Sequence, residues 1–214
     1  MKKRRISIAL LSAMLMGTMA VAAAAKVAEP VALTLAEDDA FQVSESPVEE
    51  KVLVLRGDWA KERQYQLEPL VNGESAKKGE VRWAVDSDSY KQEFGFTGKL
   101  TGNDIVSVNA ETGEITAKNS GIVRVVCEAK EDPEASVSVI VVIPGDVNKD
   151  GVINSKDADW VAEVAVEDVE IPEAQQGNAK TMFVKELADM SGNGKIDMTD
   201  VDYLDEIVAN EKDI

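Results

Sequence analysis

The stretch Asp146-Val147-Asn148-Lys149-Asp150-Gly151-Val152-Ile153-Asn154-Ser155-Lys156-Asp157 alternates oxygen-bearing side chains around a central glycine. Forty-three residues on, the chain reads Asp189-Met190-Ser191-Gly192-Asn193-Gly194-Lys195-Ile196-Asp197-Met198-Thr199-Asp200. Asp146/Asp189, Gly151/Gly194, Ile153/Ile196, Asp157/Asp200, Asp159/Asp202 and Glu163/Glu206 are identical pairs at that one offset, which marks an internal duplication. The pattern has a physical reason. A hard cation such as calcium takes six to eight oxygens, and a twelve-residue loop can wrap it with side chains at positions 1, 3, 5, 9 and 12 and a carbonyl at position 7. Position 6 turns sharply and wants glycine. The bland alternative, two polar turns rich in Asp, Asn and Gly, does not account for the fixed register.

The spacing therefore assigns a first ligand set of Asp146, Asn148, Asp150, the Val152 carbonyl, Asn154 and Asp157. The second is Asp189, Ser191, Asn193, the Lys195 carbonyl, Asp197 and Asp200. Two Ca2+ sites are expected, each with three carboxylates. Ile153 and Ile196, at position 8, are expected to tie the loops by a short β contact. Position 12 is Asp rather than the longer Glu, and Pro144 leaves no room for a helix entering the first loop, so a strand must arrive instead. After the first loop, Trp160, Val161, Val164 and Ala165 form an apolar stripe; Tyr203, Leu204, Ile207 and Val208 repeat it after the second. Both stripes have helical period and should bury against each other. A third short helix is expected near residues 180–187, with Met182, Phe183 and Leu187 on its apolar face.

On these residues, Gly145 to Asp157 and Ala188 to Asp200, residues 144–214 resemble a type I dockerin. The resemblance implies a small all-α fold with paired EF-hand-like (F-hand) calcium loops. It further implies calcium-dependent, non-covalent docking onto a cohesin module of a scaffoldin, as in cellulosome assembly. The residues at loop positions 10 and 11 are then expected to face the partner: Ser155 and Lys156 in one repeat, Met198 and Thr199 in the other. Ser191 at position 3 and a long connection around residues 167–180 depart from the family pattern.

Upstream, residues 48–143 read as short strands separated by Gly, Asn, Asp and Pro turns, an all-β antiparallel sandwich. Val81, Trp83 and Val85 alternate with polar neighbours, as do Val137, Val139 and Val141. Trp83, Asp86-Ser87-Asp88, Val106-Ser107-Val108, Gly113-Glu114-Ile115-Thr116-Ala117, Gly121 and Val123 to Val125 resemble the bacterial Ig-like group 2 (BIG2) family. The residues between Tyr90 and Asn103 are longer than that pattern and read either as a local elaboration or as a contact surface. Trp83 and Cys127 are in phase with core positions and are expected to be buried. Trp59 and Tyr65 read as packing residues or as a sugar-stacking platform. Only Pro144 and Gly145 separate the last strand from the first loop. The two units should therefore form a fairly rigid pair, similar to the Ig-like X modules that precede some dockerins.

Residues 1–25 carry Lys2, Lys3, Arg4 and Arg5, then an uncharged apolar run ending in Ala22 to Ala25, the pattern of a cleaved secretory signal. The alternative reading is an uncleaved membrane anchor, since the run is about long enough to span. With cleavage, expected after Ala25, no stable membrane span is left and the protein is expected outside the cell, in the secreted fraction or held at the surface through a scaffold. Residues 26–47, with acidic residues and no clear period, read as a flexible lead-in.

Composition excludes whole classes of chemistry. Lys and Arg total 23 against 40 Asp and Glu, a formal charge of −17, so a nucleic-acid partner is not expected. From Gly145 to Ile214 there are 6 Lys and 18 acidic residues, so much of the acidity lies in the repeat region. No His means no His-based triad, general base or metal ligand; one Cys means no intrachain disulfide and no Cys cluster. The expectation is a secreted, non-catalytic interaction protein in a polysaccharide-degrading assembly. The alternative is a small carbohydrate-active hydrolase or carbohydrate-binding module carried by a dockerin, but the sandwich offers no obvious acid pair in a groove.

Overall fold

In a computed structural model of the chain, residues 31–37, 41–42, 51–56, 63–166, 170–171 and 181–211 are described. The expected signal segment, Trp59 and most of the connection at 167–180 lie outside them. Two long β-branched strands form the spine. β10 (Gly121–Ala129) and β11 (Ser136–Ile143) pair antiparallel from Gly121↔Ile143 to Glu128↔Ser136. Val, Ile and Cys side chains stack on a pleated, largely buried surface there, which suits their stiff branched chains. The rest of this sheet is β2 (Phe41–Gln42), β3 (Lys51–Val54) and β7 (Val81–Asp86), in the order β2-β3-β11-β10-β7.

Two three-stranded sheets complete the sandwich. One is β1 (Leu33–Leu35), β5 (Pro69–Val71) and β6 (Glu74–Ser75), in the order β1-β5-β6. The other is β4 (Gln64–Gln66), β9 (Glu114–Ala117) and β8 (Val106–Val108), in the order β4-β9-β8. Trp83, Leu53, Leu67, Ile115 and Val125 are buried in the core. Gly113, at φ +77, lies flat under the Trp83 indole: a Cβ there would stand 2.6 Å from Nε1.

Three features differ from the sequence expectation. Part of the segment read as a lead-in is ordered sheet: β1 pairs with β5, and Phe41 of β2 pairs with Leu53. Leu33, Leu35 and Phe41 supply the apolar surface for this, though strands of two or three residues carry too few positions to show a period. The sandwich is also not wholly antiparallel, because β3 runs parallel to β11 through Val139↔Lys51 to Val142↔Val54. Finally, two one-turn helices, α1 (Ser89–Gln92) and α2 (Gly102–Ile105), lie at the start and end of the long connection after β7. Asp104 caps α2 by accepting the Thr101 N–H and hydroxyl at 2.8 Å.

After Ile143 the chain turns through Gly145 (φ +131) directly into the first Asp-rich loop. No helix precedes that loop, as Pro144 dictates. The C-terminal unit is helical: α3 (Ser155–Ala165), α4 (Val184–Ala188) and α5 (Met198–Glu211). α3 packs against α5, with Val161, Val164, Leu204 and Ile207 buried; Tyr203, expected in the stripe, is exposed. The expected third helix begins at Val184 rather than 180 because Phe183 takes a left-handed backbone (φ +59). Among the described residues no helix is long and apolar enough to cross a membrane.

Candidate functional site

The two Asp-rich loops are wired alike. In the first, Asp146 Oδ2 accepts the Gly151 N–H at 2.7 Å; in the second, Asp189 Oδ2 accepts the Gly194 N–H at 3.1 Å. Asp157 Oδ1 accepts from Asn148 N and Oδ2 from Asn154 N; Asp200 Oδ1 accepts from Ser191 N and Oδ2 from Asp197 N. Asp150 accepts from Val152 N as Asn193 accepts from Lys195 N. Asn154 accepts from Lys156 N as Asp197 accepts from Thr199 N. Each of these bonds recurs at the sequence offset. The position 9 and 12 side chains thereby also cap α3 and α5, satisfying N–H groups that a helix start leaves orphaned.

Both loops turn through left-handed backbone at positions 4 and 6. Gly151 and Gly194 take φ +91 and +80. At position 4 the second loop has Gly192 (φ +76), whereas the first has Lys149 (φ +60). A non-glycine residue there carries strain of roughly 1–3 kcal/mol, so the surroundings must hold it. They do: Lys149 is 4% exposed, and its ammonium donates to the Met182 carbonyl at 2.8 Å and the Phe94 carbonyl at 3.2 Å. Burial pulls its pKa down to about 8, against the pull of Asp146 and Glu186.

The carboxylates at positions 1 and 12 are buried in both loops: Asp146 1%, Asp157 0%, Asp189 4% and Asp200 0% exposed. Burial pushes Asp146 up to about 7, with Asp157 and Asp150 adding to the shift against the N–H donors. Asp157 is raised for the same first reason. Half-buried Asp197 is lowered, chiefly by the Thr199 N–H. Among the described residues no group of three or more His, Cys, Asp or Glu side chains is placed to hold a metal ion by itself. The expected donor set is instead mixed: carboxylate, amide, hydroxyl and carbonyl. The position 8 isoleucines are not joined by a strand; Ile153 Cδ1 lies 2.6 Å from where a Cβ on Gly145 would be. Ser155, Lys156, Met198 and Thr199 are all exposed on the first turns of α3 and α5, with Met198 52% exposed.

Sequence reasoning missed how closely the sandwich holds these loops. The connection between Tyr90 and Asn103 is a contact surface. Phe94 meets Phe183 edge-on at 5.9 Å, while Tyr90 stacks on Phe96 at 4.3 Å. The Thr97 N–H donates to the Lys149 carbonyl at 2.9 Å. Gly98 and Gly151 touch backbone to backbone: a Cβ on Gly98 would stand 2.5 Å from the Asp150 carbonyl oxygen. Buried Ser120 donates to the Ile143 carbonyl at 2.9 Å and accepts the Asp146 N–H at 2.7 Å. At the second loop, Arg56 donates from Nε to the Asp189 carbonyl at 2.7 Å and from Nη2 to Asp189 Oδ2 at 3.1 Å. The short Pro144–Gly145 junction and the unusually long connection after β7 were the sequence signals for close docking; neither pointed to Arg56, Ser120 or Lys149. Tyr65 lies on β4, edge-on to Phe41 at 6.1 Å, beside a small cleft lined by Glu37, Gln66 and Glu68.

No curated protein matches the chain. Among solved structures it is similar to the C-terminal fragment of intimin in complex with the translocated intimin receptor intimin-binding domain, at 16% identity and TM-score 0.28, covering 51% of this chain and 29% of that one. It is also similar to protocadherin gamma B7 extracellular cadherin domains 1–4, at 10% identity and TM-score 0.31, covering 55% and 25%. Protocadherin gamma B2 domains 3–6 match at 17% identity and TM-score 0.25, covering 45% and 20%. The chain thus spans between a fifth and a third of each structure. Within the repeat region the match is specific: residues 144–208 match the model of the dockerin type I domain.

Proposed function

We propose that this chain is a secreted, non-catalytic interaction protein that docks, calcium-dependently, onto a scaffoldin cohesin through residues 144–214. In this reading residues 1–25 are a cleaved signal, residues 48–143 centre on an Ig-like sandwich of the bacterial group 2 kind, and two loops each hold Ca2+. The first ligand set is Asp146, Asn148, Asp150, the Val152 carbonyl, Asn154 and Asp157. The second is Asp189, Ser191, Asn193, the Lys195 carbonyl, Asp197 and Asp200. One observation carries the reading: the bonds that the buried carboxylates at positions 1 and 12 accept from the backbone at positions 6, 3 and 9 of the first loop recur at the same positions in the second. Buried anions are costly unless compensated, and the upward push on Asp146 expresses that cost. A bound divalent cation supplies the compensating charge and makes metal binding part of the folding energy.

The chain's own residues supply the rest. Asp157 and Asp200 couple each loop to the helix that follows it, so a loop held in shape fixes the first turn of α3 or α5. Those turns present Ser155 with Lys156 and Met198 with Thr199 to the cohesin. The pairs differ in chemistry, one small and cationic, the other apolar and hydroxylic, so the two faces are unequal binders. Capture on a panel of immobilised cohesins, with calcium and with chelator, tests the reading. Binding to at least one cohesin that is lost in chelator and in the Asp146→Ala, Asp189→Ala double variant is the expected result. Binding that survives both treatments overturns it.

A further inference from the structure

The two loops share their internal wiring but not their surroundings, and the difference falls on the first ligand position. β3 runs parallel to β11, with Val54 opposite Val142 and the Leu55 N–H bonded to the Val142 carbonyl at 2.9 Å. That register carries Arg56 to the end of the sandwich where β11 hands over to the C-terminal unit. There its guanidinium grips Asp189 twice, on the carbonyl at 2.7 Å and on Oδ2 at 3.1 Å. Both partners are sequestered: the Arg56 side chain is 16% exposed and that of Asp189 5%. The arginine stem also covers Gly192, where a Cβ would stand 2.9 Å from Arg56 Cδ. Asp146, the counterpart of Asp189, receives only backbone donors, Asp150 N at 3.1 Å and Gly151 N at 2.7 Å. The Lys149 ammonium donates to the Phe94 and Met182 carbonyls.

We propose that Arg56 sets the cation affinity of the second loop by competing for Asp189. This rests on the reading of the loops as calcium sites. A guanidinium bonded to Oδ2 places a full positive charge beside the position a divalent ion must approach, in a spot shielded from solvent where such charges act strongly on each other. The ion must share Asp189 or displace the arginine. The second loop is therefore the weaker site. Its filling also loosens a tie between the sandwich and the C-terminal unit, since the same side chain makes both interactions.

Calorimetric titration of the full chain with Ca2+ tests this, with Tb3+ luminescence as a parallel readout. Two uptake steps are expected. Arg56→Met should tighten the weaker step by about tenfold or more and leave the stronger one in place. Arg56→Lys, which keeps the charge but cannot grip both oxygens in a planar fork, should tighten it less. In an Asp157→Asn background, which disables the first loop, the same gain should appear in the single remaining step. An Arg56→Met chain that takes up two ions with the weaker step unchanged or weakened overturns the proposal and leaves the loops as calcium sites. A wild-type chain that takes up no ion overturns the reading of the loops and this proposal with it. Thermal melts in chelator show whether each variant is folded, so a misfolded chain is not mistaken for a weak binder.

Discussion

Replacing Gly98 by alanine probes the contact between the sandwich and the first loop with a single methyl group. Gly98 does not occupy left-handed backbone, so alanine introduces no conformational strain and acts by contact alone. Its Cβ would stand 2.5 Å from the Asp150 carbonyl oxygen and 2.8 Å from Gly151 Cα. Both are backbone atoms and cannot rotate away, so the loops must part by about half an ångström or more to relieve the contact. Overpacking of this kind costs about 1–3 kcal/mol. The adjacent Thr97 to Lys149 bond, 2.9 Å long, sits on the same pair of segments and adds about 1 kcal/mol if lost. For a chain of this size each kcal/mol lowers Tm by roughly 2–4 °C, so a fall of roughly 4–16 °C is expected. Circular-dichroism melts of the full chain, with and without calcium, measure it. Lys99→Ala, one residue on and exposed, is the control and should stay within about 0.5 kcal/mol of wild type. A Gly98→Ala chain that melts within a degree of wild type would show that the two loops do not touch in solution, and the docked arrangement would have to be abandoned.

Ser120→Ala removes the hydroxyl that accepts the Asp146 N–H and donates to the Ile143 carbonyl in a buried spot; urea unfolding should report a loss of about 1–3 kcal/mol, and an unchanged midpoint counts against the bridge. Gly113→Ala combines a strained φ of +77 with a methyl 2.6 Å from the Trp83 ring; a loss of about 2–4 kcal/mol is expected, visible as a lower Tm and altered tryptophan emission. Burial pushes the Cys127 thiol up to about 12, so iodoacetamide at neutral pH should leave the native chain unlabelled and modify it only in denaturant; fast native labelling contradicts the buried placement. Chelation should reduce the helical signal from residues 144–211 while the β signal of the sandwich persists, and identical spectra before and after would remove metal from the folding energy.

What the sequence discloses depends on whether a feature repeats. The Asp-rich loops are legible because one set of residue types recurs at one offset, and α3 and α5 because their apolar stripes have helical period. β7 alternates over six residues and β10 from Val123 to Ala129, long enough for the pleat to register, and β11 reads from its β-branched run, buried from Val139 to Ile143. β1 and β2 fail that test: with three and two residues, their partners rather than their own pattern make them strands. The parallel pairing of β3 with β11 leaves no local trace either, because it joins segments almost ninety residues apart. Lys149 is harder still. A lysine at loop position 4 reads as solvated, and its burial depends on two carbonyls contributed by distant segments. Arg56 and Asp189 are 133 residues apart, and nothing in either neighbourhood signals the other.

These hidden contacts gather at one end of the sandwich, and four of them land on loop positions. Ser120 holds the N–H of position 1, Lys149 is position 4, Gly98 meets positions 5 and 6, and Arg56 holds position 1 of the repeat. The aromatic pair Phe94 and Phe183 closes the same junction. A loop fixed from outside in this way loses less freedom when a cation orders it, so docking on the sandwich favours uptake. Linkage then requires the converse: whatever ion the first loop takes up must strengthen the docking by the same factor. Gly98→Ala should therefore weaken uptake at the first loop as well as lower Tm, and its Tm deficit should shrink in chelator, where less of the stability depends on the loop. At the second loop the sign is opposite, because Arg56 gives up part of its grip as the ion enters. The duplication thus shares most of its internal wiring but is asymmetric in coupling, and the asymmetry comes from what the sandwich places on each loop together with the change from Lys149 to Gly192 at position 4.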